Sequence, residues 1–170
     1  MDYILSRRSV RNFDTTRKLT FEQLKELCRY GESAPTARNQ KSREYIIIDD
    51  DNVIMELSKI SKGALVLSKC NTAIAVIARK REEMITPHMV DQDLSCAVEN
   101  ILLAATAQNI GSCYIGVYPI EERVTASDEV LGLCDGKHTF ALIALGYPND
   151  NECFYVKEKL DDSMIHHNRY

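Results

Sequence analysis

The longest apolar-periodic stretch in the chain, Met89 to Asn109, sets the terms for everything else. Leu94, Ala97, Val98, Ile101, Leu102, Ala104 and Ala105 spread over much of the circumference of a helix. A helix with so little polar surface must be enclosed, so the spacing predicts a central buried helix around which the other elements pack. At 170 residues the chain has the length of one domain and can bury a sizeable core without disulfides or metals. No repeat, low-complexity tract or Pro/Gly/Ser-rich linker divides it, so a single domain over residues 1–170 is expected.

The flanking elements follow from periodicity and capping. Asp2 to Arg7 reads as a short helix. Leu19 to Glu32 reads as a longer one, since Thr20 and Gln23 form a capping box and Leu24, Leu27 and Cys28 share a face. Glu44 to Asp49 contains Tyr-Ile-Ile-Ile and reads as a buried strand, Asn52 to Ser61 as a helix, and Thr72 to Ala78 as a second strand. Gly111 is read as the stop of the central helix, before a strand over Ser112–Val117. A helix over Ile120–Leu131 and a strand over Thr139–Leu145 complete a mixed α and β protein. Periodicity leaves the strand order open and also allows a doubly wound sheet.

Composition excludes several classes. Apolar residues are 45% and charged residues 27%, the balance of an ordinary globular protein. No segment approaches the roughly 18 consecutive apolar residues of a membrane span, and the N-terminus does not read as a signal peptide, so a cytoplasmic location without membrane association is expected. The six cysteines are scattered and have no zinc-site spacing; they read as reduced, mostly buried small hydrophobes. Adjacent His166 and His167 on an extended tail point to opposite faces and lack a carboxylate or thiolate partner, so no metal is expected. A net charge of −4 gives no reason to expect nucleic acid.

Four segments are suited to a phosphorylated, flat ligand. Arg7-Arg8-Ser9-Val10-Arg11 concentrates guanidinium forks and a hydroxyl that match phosphate oxygens, although a solvated basic turn has the same composition. Ala34-Pro35-Thr36-Ala37-Arg38-Asn39-Gln40 is small and polar just past a helix end, equally a plain loop or an approach to a ring edge. Gly111 to Pro119 runs a strand into Gly116, which admits either a bulge or a close contact between backbone and ligand. Tyr155 to Lys159 places Lys157 and Lys159 on the same side of an extended tail.

Taken together and in this order, these segments resemble the FMN-dependent nitroreductases. The resemblance runs from Ser6 to Tyr170 and includes Asp93 through Ala105, Ala144 to Pro148 and Ile165 to Tyr170. It implies an α+β, three-layer fold with a mostly antiparallel central sheet flanked by helices. It also implies a homodimer with FMN bound at the subunit interface and a tail, from about residue 150 to 170, packing on the partner. By carry-over, Arg7, Ser9 and Arg11 would hold the phosphate and ring edge, with Arg8 nearby and Lys157 and Lys159 closing on the phosphate. Pro35, Thr36, Ala37 and Asn39 would reach across from the partner subunit. Ile115, Gly116 and Val117 would lie beside the ring, with a backbone N–H directed at N5. NADH or NADPH would supply electrons to nitroaromatics, quinones or another small acceptor in a two-step exchange, and no side-chain base is nominated.

The chain departs from the family pattern at Lys41-Ser42-Arg43, where relatives commonly carry Gln-Pro-Trp. Lys41 is expected at the flavin edge, while the loss of the aromatic leaves local packing open. The second strand begins without the usual proline at Lys69-Cys70-Asn71-Thr72. No large insertion separates the central helix from the third segment, so an open site is expected. Two alternatives stand beside the enzyme reading: an FMN carrier or sensor without turnover, which Tyr114, Tyr118 or Phe140 could enforce by blocking the ring face, and a flavin-free interaction protein with a basic docking patch.

Overall fold

A computed structural model describes residues 2–149, 153–156 and 161–170. The helices are α1 (Tyr3–Ser6), α2 (Phe21–Glu32), α3 (Asp51–Leu57), α4 (Val90–Ala107) and α5 (Glu121–Leu131). The strands are β1 (Arg43–Ile48), β2 (Thr72–Ala78), β3 (Gly111–Gly116) and β4 (His138–Gly146). They form a sheet of order β1-β2-β4-β3 in which every neighbouring pair is antiparallel, which removes the doubly wound alternative.

The sheet is the middle of three layers. On one face, Ile74 and Val76 of β2 and Ile143 and Leu145 of β4 meet Leu24 and Leu27 of α2 and Leu94, Val98 and Ile101 of α4. On the other, Ala73, Ala75, Leu142 and Ala144 meet Ile54 and Leu57 of α3, the 3₁₀ run Lys62–Lys69, and Val124 and Leu131 of α5. Consecutive residues of β2 and β4 thus enter opposite cores, as the two-residue period of a strand requires. β2 is buried along its whole length. The expectation of a buried first strand is corrected: β1 has one neighbour, and Tyr45, Ile46 and Ile47 are only half-buried.

Local chemistry accounts for the element ends. The capping box of α2 is formed: the Gln23 amide donates to the Thr20 hydroxyl at 3.2 Å and the Thr20 amide to the Gln23 side chain at 2.9 Å. α3 stops at Leu57, earlier than periodicity suggests, because Ser61 caps the next turn by accepting from the Ala64 amide. The α4 terminus also differs from expectation. Asn109, not Gly111, reverses the chain, with φ of 56°, while the Ile110 amide bonds back to Ala105. Gly111 serves a different end, since a Cβ there would sit 2.9 Å from Val10.

That contact belongs to the N-terminal segment. Val10 and Phe13 are buried, the Val10 amide donates to the Ser112 carbonyl at 2.9 Å, and the Asp14 amide donates to the Tyr147 carbonyl at 2.8 Å. Burying two such side chains contributes about 1.5–3 kcal/mol each and holds the backbone along the open side of β3. Ser9 just before these anchors, and Arg11 and Asn12 between them, remain exposed.

Candidate functional site

The arginine segment and the C-terminal segment meet. Arg7, Arg8, Ser9 and Arg11 line a cavity of about 560 Å³ together with Cys153 and Tyr155. The Arg8 guanidinium lies over the Tyr155 ring, 4.5 Å from its centroid, and donates to the carbonyls of Leu5 and Arg7. Its Nε and Nη2 are buried and have no hydrogen-bond partner among the described residues. Lys157 and Lys159, expected to close the same site, lie outside the described residues, as do residues 150–152 of the tail. Among the described residues that line this cavity there is no carboxylate, so the described lining suits an anion.

A second cavity, about 400 Å³, shares Arg7 and Ser9 and extends along α4 through Ser95, Val98 and Leu102 to Tyr114. Arg7 Nε stands 3.3 Å from Glu99 here, a half-exposed pair. Tyr114 is the aromatic at this cavity, 42% exposed, and burial raises its phenol pKa. Tyr118 and Phe140 are not at the cavity; they pack on each other at 6.2 Å, and Tyr118 also meets the His138 ring at 5.1 Å. Burial and the nearby Arg81 guanidinium lower the His138 pKa.

Of the expected ring contacts at the end of β3, Ile115 and Val117 turn their side chains into the α5-side core, and the Val117 amide donates to the Phe140 carbonyl at 3.3 Å. The alternation that turns the Ser112 carbonyl toward Val10 also turns the backbone of Tyr114 and Gly116 to that open edge. The Gly116 carbonyl there accepts from Arg123 at 3.0 Å. Residues 108–110 join α4 directly to β3, so no inserted element covers this edge from that connection.

Pro35, Thr36, Ala37, Asn39 and Lys41 line neither cavity. They form a separate, tightly wound loop in which Arg38, Asn39 and Lys41 all have positive φ. The Ala37 amide is not free for a ligand, because it donates to Asp93 Oδ1 at 2.8 Å. Lys41 is exposed, its amide near the Thr36 hydroxyl at 3.4 Å. The packing question raised by the missing aromatic has a direct answer. Arg43 is buried and donates to the carbonyls of Glu32 and Ala34 at 2.6 and 2.7 Å, filling the space and capping the end of α2.

Sequence reasoning assigned no role to Asp93, Glu99 or Ser95. Asp93 is 4% exposed and accepts from Ala37, Gln40 and Ser42. Its only sequence signal is a carboxylate in the first turn of a long apolar helix. Cys28, Cys70, Cys96, Cys113 and Cys134 are free thiols; Cys70 and Cys113 are buried, Cys28 and Cys153 half-buried, and Cys96 and Cys134 exposed, so fewer cysteines are buried than expected. Burial pushes the Cys28 and Cys70 thiols up to about 11. Among the described residues no helix is long and apolar enough to cross a membrane, and no His, Cys, Asp or Glu side chains cluster as a metal site.

A three-layer α/β/α sandwich with an antiparallel sheet, an enclosed central helix and an arginine-lined cavity beside an open strand edge defines a recognisable class. The profile of the nitroreductase family matches residues 4–70 and 63–147, and the chain belongs to that family. A protein of Archaeoglobus fulgidus is 33% identical over 98% of this chain and 96% of its own length; its provisional name is NADH dehydrogenase/NAD(P)H nitroreductase. A crystal structure from Clostridium acetobutylicum, provisionally described as an NADH oxidase, superposes with a TM-score of 0.93 at 36% identity, covering 99% of this chain and 100% of that one. An FMN-dependent nitroreductase from Clostridium difficile shares the fold, with a TM-score of 0.89 at 24% identity over 99% of both chains.

Proposed function

We propose that the chain is an FMN-dependent NAD(P)H oxidoreductase that works as a homodimer in the cytoplasm and reduces nitroaromatics, quinones or other small electron-poor acceptors. The observation that carries this reading is the convergence of the two chain ends: Arg7, Arg8 and Arg11 come together with Tyr155 around one cavity free of carboxylates in its described lining. Its volume lies in the range of about 300–1,000 Å³ typical of ligand sites. The family membership and the NAD(P)H nitroreductase name of the A. fulgidus relative support the reaction class. The free thiols of Cys28, Cys70, Cys96, Cys113 and Cys134 fit a reducing compartment.

In this reading Arg7, Arg8, Ser9 and Arg11 hold the FMN phosphate, and Lys157 and Lys159, which follow Tyr155 in the chain, close on it. Tyr114 and the open backbone edge at Gly116, between Ile115 and Val117, flank the ring in this reading, and a fixed N–H there would stabilise charge at the ring edge. Bound FMN supplies the hydride and electron chemistry; the protein orients it and leaves one face accessible. Pro35, Thr36, Ala37, Asn39 and Lys41 are assigned to the flavin held by the other copy, which agrees with their separation from the arginine cavity within one chain. The exposed Met164 and Ile165 of the tail supply apolar surface for the second copy.

The test is the absorbance spectrum of the purified protein, followed by anaerobic addition of NADH. A yellow protein that bleaches on NADH and recovers colour with a quinone supports the enzyme. A yellow protein that keeps its colour supports the carrier, and a colourless one that ignores added FMN supports the flavin-free alternative.

A further inference from the structure

We propose that Asp93 is a positioning residue that holds the 35–41 loop in its ligand-binding shape. This rests on the assignment of that loop to flavin. Three donors reach the carboxylate from within the loop and just past its end: the Ala37 amide to Oδ1 at 2.8 Å, and the Gln40 side-chain amide and Ser42 hydroxyl to Oδ2 at 2.7 and 2.9 Å. Between these anchors Arg38, Asn39 and Lys41 have φ of 52°, 54° and 48°, a conformation that side-chain-bearing residues adopt at an energetic cost. Such a run persists only where surrounding bonds over-determine it. Asp93 supplies those bonds from the first turn of α4, where the helix dipole favours a carboxylate.

The arrangement requires an acceptor at both oxygens. Gln40 cannot turn its amide over, because its Oε1 already accepts from the Thr86 amide at 2.9 Å and the Thr86 hydroxyl at 3.0 Å. An asparagine at position 93 therefore sets its NH₂ against the Gln40 NH₂ in one orientation and against the Ala37 N–H in the other. Each orientation leaves buried donors opposed, which removes the clip with almost no change in side-chain volume.

The experiment uses the full chain, stripped of flavin, with FMN titrated and followed by quenching of its fluorescence and by the visible circular dichroism of the bound ring. Asp93→Asn is expected to weaken FMN at least tenfold and alter the circular dichroism band. Arg38→Gly in the Asp93→Asn background is expected to recover part of that loss, because glycine takes positive φ without steric cost. A merely structural role for Asp93 predicts no such rescue. Ser42→Ala, which removes one donor and leaves the carboxylate in place, is expected to weaken FMN about threefold and decides the matter if Asp93→Asn does not fold. Wild-type affinity and an unaltered band in Asp93→Asn, or wild-type affinity in Ser42→Ala, overturn the proposal. Failure of the wild-type protein to take up FMN is a distinct result that overturns the flavin reading itself and the clip with it.

Discussion

The arginine segment, residues 7–13, and the 35–41 loop are both short, polar and outside the α-helices and strands, yet they are held in opposite ways. In the first, the backbone is fixed by the sheet: Val10 bonds to Ser112, Phe13 is buried, and the arginine side chains are left to meet a ligand. In the second, the backbone itself is the shaped object, strained at three residues and tied down by a side chain from a distant helix. One region offers side chains on a fixed main chain, and the other a main chain fixed by a side chain. Truncating a binding side chain should therefore cost affinity without stability in the first region. In the second, the sensitive residue lies outside the loop.

The largest effect expected is at the anchor of the first region. Phe13→Ala removes a buried ring and should cost about 3–5 kcal/mol in urea unfolding, with FMN affinity falling as the segment comes loose. Retained affinity in a destabilised Phe13→Ala protein would break the link between anchor and site. Next comes the double variant Arg7→Ala/Arg11→Ala. It should weaken FMN about 100-fold or more, at about 1.5–3 kcal/mol for each hydrogen bond to a charged group, while the unfolding midpoint stays near that of the parent. A matching loss of stability would show that these arginines hold the fold.

How much of this was legible depended on how local the causes were. The α2 start was readable because Thr20 and Gln23 lie within one turn of each other. The α4 helix was readable because its own apolar residues announce enclosure. Strand order was not, since the period of β1 to β4 records which faces are buried but not which edges pair. The arginine cavity could be anticipated because its chemistry resides in side chains adjacent in sequence, and the resemblance to a family joined it to the tail. The Asp93 clip could not, because its bond to Ala37 spans 56 residues and depends on backbone geometry that composition does not encode. Arg43 was unreadable for a similar reason: a buried arginine is accounted for only once the carbonyls of Glu32 and Ala34 are seen to face it.

A smaller effect separates stability from ligand binding. The His138 pKa is lowered in the folded protein, by burial first and Arg81 second, so the native state favours the neutral ring. Its contribution is fully present above the unfolded value near 6.5 and is lost as pH falls through the lower folded value. Unfolding midpoints should therefore drop on acidification below about pH 6.5, and His138→Gln should flatten that slope. An unchanged slope removes His138 as the cause. The smallest effect is at Glu99. Glu99→Gln releases Arg7 from a half-exposed pair and should tighten FMN by about threefold or less, since such pairs contribute little. Weaker binding would mean that Glu99 orients Arg7 toward the ligand.

The claim on which the account stands is that the converging arginines recognise a phosphate. Riboflavin carries the same ring as FMN without that group, so the direct measurement is a titration of the flavin-free protein with each, at low and high salt. The account predicts that FMN binds at least 100-fold more tightly than riboflavin and that added salt narrows the gap. Equal affinities at low salt would contradict it.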